Sequence, residues 1–313
     1  MESKSKSAFL KFLGVFLPFC LLLFICDFSI GKLLEYEYRS VKSGVIRKTT
    51  FIIDEMRTPY VVFGSSRASR HYKSSVFSQQ LADPFYNCGR DGQEMIYVSA
   101  VTTAAMNRYQ PKFVIVDVLP EEFTKSEEGK LGALLPYHEN KTIRPFLNYN
   151  GKFQNIKLLS KIYPYNSMLT TILAGRYGAD ANSRENGYLP LYGNKPSAKI
   201  QPLKDQEDNV DLNKFHVFQE LLRNLERKKI RTLLVISPLY KTYKQGSTVR
   251  ICKLFAAKLK YVQFLNYTNL QEYRNPEIYA DDYHLNDKGA SKFSADLASK
   301  IVKLQSAGQD LPE

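Results

Sequence analysis

Tyr60-Val61-Val62-Phe63-Gly64-Ser65-Ser66-Arg67 is the stretch around which the rest of this 313-residue chain can be organised. Its first four residues form a short apolar, β-prone run that stops on glycine, as a buried strand does before a tight turn. Four further runs share that character: Pro84-Phe85-Tyr86-Asn87, Phe113 to Val118, Thr232 to Ile236, and Tyr261 to Leu265. Amphipathic patterns lie between them. Phe215, Phe218, Leu222 and Leu225 recur at helical spacing behind Asp211, a candidate N-cap; Ala290, Phe293, Leu297 and Ile301 recur behind Asn286 or Asp287. Strands that are apolar throughout, alternating with one-sided helices, predict an α/β chain with a mostly parallel sheet covered on both faces. In such sheets ligands bind beyond the carboxyl ends of the strands.

Residues 123–210 break the rhythm. They are rich in Tyr, Asn, Gly and Pro, with one modest helical stretch near Leu158 to Leu173. They read as an insertion with some ordered structure of its own, such as a cap over the site, because a bare loop of that length is rare in a compact domain. At the amino terminus, Phe12 to Cys26 carries no charge, and Ala8 to Ile30 is interrupted only by Lys11 and Asp27. A span needs about 20 mostly apolar residues. Ile25-Cys26-Asp27 offers no small-x-small cleavage site, and bulky Phe24 and Ile25 precede Cys26 where a lipoprotein signal needs small residues. The reading is therefore a tail and retained transmembrane anchor over 1–31, a juxtamembrane helix or stalk over 32–57, and an α/β domain over 58–313. Lys4, Lys6 and Lys11 precede the span, while Lys32, Arg39, Lys42, Arg47 and Lys48 follow it. The positive-inside count alone leaves the orientation undecided.

Lys and Arg number 44 against 31 Asp and Glu, a surplus of 13 that suits an anionic partner or simply a solvated basic surface. No nucleic-acid-binding module is present. With 44% hydrophobic and 24% charged residues, wholesale disorder is excluded. Four cysteines make neither a disulfide scaffold nor a Cys-x-x-Cys pair, and His71, His138, His216 and His284 are not spaced as metal ligands. No metal and no cofactor is expected.

Two places carry reactive chemistry. A Ser after Gly64, at a strand-to-helix turn, has an exposed hydroxyl at the positive end of the next helix; alternatively, Ser65 or Ser66 merely caps that helix. In Asp281-Asp282-Tyr283-His284-Leu285-Asn286, one turn can bring Asp281 against the imidazole and leave the other ring nitrogen free as a base. The alternative there is a surface Asp-His turn with no task. A third block, Asn87-Cys88-Gly89-Arg90-Asp91-Gly92, follows the second strand.

In this order the three blocks resemble the SGNH (GDSL-like) hydrolase family, in a divergent membrane-anchored bacterial branch. The resemblance covers most of residues 60–304 outside the insertion. It implies a three-layer, flavodoxin-like sandwich with Ser66 as nucleophile, His284 as general base and Asp281 as its orienting partner. The backbone N–H groups of Ser66 and Gly92 are the implied oxyanion donors. Arg67 and Arg90 flank these residues as candidate ligands for an anionic substrate group. One departure stands out: the family's third block carries an Asn donor, and Val118-Leu119-Pro120-Glu121-Glu122 here has none. Removing one such donor costs about 100–1,000-fold in turnover. The resemblance implies an esterase acting on O-acyl, chiefly acetyl, groups of an envelope or extracellular glycan. The alternative is an O-acyltransferase or a non-catalytic polysaccharide assembly protein on the same fold. It also implies a single-pass membrane protein whose body lies outside the cytoplasm.

Overall fold

The computed structural model describes residues 2–124, 126–177, 185–196, 202–205 and 209–306. The far end of the expected α/β domain, 307–313, and parts of the expected insertion lie outside the described residues. Five strands, β1 (Tyr60–Phe63), β2 (Phe85–Asn87), β3 (Phe113–Asp117), β5 (Arg231–Ile236) and β7 (Val262–Asn266), pair in parallel in the order β2-β1-β3-β5-β7. Two-residue strands β4 (Leu203–Lys204) and β6 (Tyr243–Lys244) pair separately. Taken in chain order, the five main strands have the doubly wound 2-1-3-4-5 arrangement.

The apolar runs divide between two cores because successive strand residues point to opposite faces. Tyr60, Val62, Phe113, Ile115, Leu233 and Val235 join the core under helices α3 (Ser66–His71), α4 (Ser74–Leu81) and α10 (Asp287–Ser306). Their neighbours Val61, Phe63, Val114, Val116, Leu234 and Ile236 join the core under α5 (Met95–Met106), α8 (Leu212–Arg227) and α9 (Ser247–Lys258). Asp211 caps α8 by accepting the Lys214 N–H, and Asn286 caps α10 by accepting that of Gly289.

The amino-terminal residues differ from a simple stalk. Helix α1 (Glu2–Ser40) runs unbroken through the apolar span, which is long and apolar enough to cross a membrane. Beyond it, α2 (Gly44–Thr50) passes into a π-helical turn, Phe51–Glu55. Tyr38, Val41, Ile46, Ile52, Ile53 and Met56 are all built into the larger core. Arg108, just beyond α5, donates to the carbonyls of Ile52, Ile53 and Met56 at the end of this segment. Residues 41–56 are part of the body because their apolar side chains complete one face of it.

The insertion also departs from a single helix. Leu131–Tyr137, Arg144–Asn150 and Tyr163–Met168 are 3-10 turns, each containing a proline (Pro136, Pro145, Pro164); α6 (Gln154–Lys157) lies between the second and third, and α7 (Leu169–Tyr177) follows the third. A proline without an N–H suits such short pieces better than a long helix. These turns pack on α1, α2 and α5. Residues 185–196 reach the carboxyl edge of the sheet, where the expected cap would sit: the Leu189 N–H donates to Ser69 O, and Asn186 O accepts the Asn87 N–H.

Helix α5 starts on two buried carboxylates. Glu127 accepts the N–H groups of Glu94, Ile96 and Tyr97, and Glu122 accepts that of Met95. Lys214, whose side chain is 0% exposed, neutralises the cluster through the carboxylates of Glu94 and Glu122. Lys214→Ala should therefore lower the unfolding free energy by about 3–5 kcal/mol, the cost of stranding a buried charge, seen as a lower urea midpoint at unchanged slope.

Candidate active site

The two serines at the end of β1 have separate tasks. Ser65 is the N-cap of α3: its hydroxyl accepts the Arg67 N–H, and its carbonyl accepts the Ser69 N–H. Ser66, the first residue of the helix, is left with its hydroxyl free of capping, and that oxygen lies 2.9 Å from His284 Nε2. The other ring nitrogen, Nδ1, lies 3.0 and 2.9 Å from the two carboxylate oxygens of Asp281. Asp281 also accepts the backbone N–H groups of Tyr283 and His284, so one carboxylate both folds the turn and orients the ring. Partial burial raises the Asp281 pKa, but the hydrogen bonds from the ring and the two amides outweigh it and hold the carboxyl below its ordinary value. A carboxylate can only accept. The ring proton therefore sits on Nδ1, and Nε2 faces the serine as a base.

A second histidine, which the sequence reading did not single out, supports the first. His71 ends α3, is fully buried, and its ring centroid lies 6.2 Å from that of His284. Its Nε2 accepts the Leu285 N–H at 3.0 Å, one residue from the catalytic candidate. Nδ1 must then carry the proton and donate to Ser237 Oγ, 3.0 Å away. Burial, with the nearby Arg67 and His284, keeps the His71 pKa well below its ordinary value. This ring stays neutral and pins the loop that presents His284.

Arg67 and Arg90 are both held by protein partners. Arg67 is 2% exposed and turned under the sheet edge, where Nη2 donates to the carbonyls of Ser237 and Pro238 and to Ser237 Oγ. It lies in the field of Asp117, the last residue of β3, whose carboxyl burial pushes up to about 6 despite Arg67 and hydrogen bonds from Tyr72 and Ser237. Arg90 stacks over Tyr97 and donates to Thr49 in α2. Sequence adjacency made both candidate substrate ligands, but it does not show which side of a turn a side chain leaves. At the turn that carries His284, the Lys241 ammonium lies 3.0 Å from the Tyr283 hydroxyl and 3.6 Å from Asp282.

The loop after β2 is clamped on two sides. Asn87 Nδ2 donates to the carbonyls of Ala68 and Tyr72, and its Oδ1 accepts the Gly89 N–H. Gly89 lies so close to α3 that a Cβ would overlap the Ser69 amide nitrogen. Asp91 accepts from Ser69 Oγ and Arg70 of the same helix. On the other side, buried Lys48 of α2 donates to Gly89 O and, in the 185–196 strand of chain, to Gly187 O; burial lowers its pKa to about 8. Gly92 sits in the turn with φ +72°, a region that favours glycine. Cys88 is buried beside Met56, Cys252 is buried in α9, and both are free thiols.

A cavity of about 190 Å³ opens here between α2 and the loop, lined by Lys48, Arg90, Asp91 and Gln93 among others. A larger one of about 410 Å³ lies between α5, α8 and the 144–150 turn and carries none of the Ser66, His284 or Asp281 side chains. After β3, residues 118–122 bring no side-chain amide to the edge. Among the described residues no group of three His, Cys, Asp or Glu side chains is placed to hold a metal.

No family model matches the chain, and no curated protein matches it. Among solved structures, a gut microbial diltiazem-metabolizing enzyme aligns over 81% of this chain and 48% of its own, at 11% identity and a TM-score of 0.37. This chain spans about half the length of that enzyme, and the likeness is too low to argue from.

Because His71 is neutral when folded and free to take a proton when unfolded, acid favours the unfolded state. With a depressed folded pKa, its contribution is intact above about pH 6.5 and is lost as pH falls below that, by at most about 1.4 kcal/mol per pH unit. Urea midpoints at pH 7.5 and 5.0 should therefore converge in His71→Asn relative to the parent. The same variant should lose turnover on any substrate of the site while keeping Ser66 accessible to a serine-directed probe.

Proposed function

We propose that this chain is a membrane-anchored serine esterase of the SGNH type, removing O-acyl, chiefly acetyl, groups from an envelope or extracellular glycan. The observation that carries the reading is the 2.9 Å approach of Ser66 Oγ to His284 Nε2, with Asp281 on the opposite ring nitrogen. A serine hydroxyl is a weak nucleophile until a base takes its proton. In the reaction we infer, His284 takes that proton as Ser66 attacks the acyl carbonyl. The Ser66 N–H, an unpaired donor in the first turn of α3, and the Gly92 N–H receive the oxyanion. His284 then protonates the departing sugar oxygen. Water, deprotonated by the same imidazole, releases the acyl group as a carboxylate and restores Ser66. In this reading α1 spans the bilayer and the body works outside the cytoplasm. The surplus of 13 positive charges suits an anionic surface or polymer.

One observation favours a second reading. With no amide side chain after β3, the oxyanion has two donors where the family has three. A site slow toward water suits transfer of the acyl group from Ser66 to another sugar hydroxyl, or a purely assembling role.

The full chain in detergent should hydrolyse an activated acetyl ester and bind a fluorophosphonate probe, and Ser66→Ala should abolish both. His284→Ala should fall about as far as Ser66→Ala, because residues acting as a unit are not additive; Asp281→Asn should fall less. Ser65→Ala should lose about 0.5–2 kcal/mol of stability as a missing cap yet still be labelled. Parental activity in Ser66→Ala would sink the nucleophile assignment. Acylation of an added glycan acceptor would favour transfer, and a protein that no such probe labels would favour assembly.

A further inference from the structure

Asp27 is out of place in an apolar helix, and its partners explain it. Directly after the uncharged run Phe12–Cys26, its carboxylate accepts from Ser160 Oγ at 2.6 Å, Lys161 N at 2.7 Å and Ile162 N at 3.4 Å. One turn further on, Gly31 lets α1 lie directly on Lys161; a Cβ there would overlap the Lys161 Cβ and its backbone. These contacts fix residues 160–162 against α1 just past its uncharged run, where exposed Phe28, Ile30 and Leu33 continue its apolar surface.

The residues just before that contact are two-sided. Gln154 and Leu158 turn inward and are buried, whereas Phe153, Ile156 and Leu159 point outward and are 70%, 63% and 77% exposed. Lys152, Lys157 and Lys161 are interleaved with them. Three large apolar side chains left in solvent forgo the gain of burial. The trio adjoins the Asp27 contact, and the surface of α1 there is itself exposed and apolar, with Phe24 at 67% and Ile25 at 50%.

We propose that Phe153, Ile156 and Leu159 insert into the same bilayer that α1 enters, with Lys152, Lys157 and Lys161 at the headgroups. The apolar tips and cationic flanks are the composition that lies in a membrane interface, and lysine stems can reach from apolar surface to anionic headgroups. Because the trio adjoins the Asp27 contact on α1, the occupant we assign is lipid. The proposal rests on the membrane-spanning reading of α1 and is independent of the esterase reading.

The test places the full chain in nanodiscs containing anionic lipid, with Cys20 and Cys26 changed to Ser and a bimane label at a single new cysteine. Leu21→Cys reports on α1, Leu159→Cys on the proposed contact, and Leu212→Cys on an exposed position of α8. Brominated lipids should quench positions 21 and 159 by about twofold or more, as expected for groups near the acyl boundary, and leave 212 unchanged. Quenching at 21 but not at 159 overturns the proposal with the anchor intact. Quenching at neither overturns the anchor and the proposal with it. A label at 159 shielded from iodide yet unquenched by lipid means that protein, such as a second copy of this chain, covers the surface, and that also overturns it.

Discussion

Helix α3 is six residues long and carries both Ser66 and His71, yet a helix that short cannot hold itself together. The side chain of Asn87 holds it instead. One amide group bridges the carbonyls of Ala68 and Tyr72, each at 2.8 Å, and takes the Gly89 N–H at 2.9 Å, joining the helix of Ser66 to the loop that carries Gly92. Asn87 is fully buried, so none of these groups could turn to water if the amide were lost. The approach of Gly89 to α3, the Asp91 contacts and the Lys48 brace all presuppose that bridge.

Beneath Ser66 and His284 lies a polar layer that is almost entirely enclosed. Arg67, Asp117, Ser237, Tyr72 and His71 come from three parts of the chain and meet under the carboxyl edge of the sheet. Their value is rigidity: a satisfied buried network has few alternative arrangements. Not all of it is satisfied, since Arg67 Nε and Nη1 and Asp117 Oδ2 find no partner. The attraction between that guanidinium and carboxyl partly offsets the cost.

What could be read from the sequence follows from the range of the forces involved. The five strands were visible because a strand covered on both faces is apolar at most of its positions. Asp281 and His284 were visible because their contact is three residues apart and local. Whether Ser65 or Ser66 is the cap depends on which hydroxyl His284 reaches from 218 residues away, and no local pattern encodes that. His71 stayed hidden for the same reason: its partners are Ser237 and Leu285. The inward turn of Arg67 and the packing of residues 41–56 also depend on distant surfaces. The alternation of charged and apolar residues in 32–57 is compatible with a solvated helix as much as with one that completes a core. Sequence pattern reported its period and not its neighbour.

Helix α1 has a mechanical consequence. It is 39 residues long without a break, and a helix advances about 1.5 Å per residue while turning 100°. A flexible leash would let the body wander; a continuous helix gripped at Asp27 by Ser160 and at Glu37 by Arg176 transmits both height and angle. Length and azimuth are thereby geared together. One residue gained or lost between those two grips would shift one of them by about 1.5 Å along the helix but by about 100° around it, so the spacing between them is held by rotational phase far more tightly than by reach.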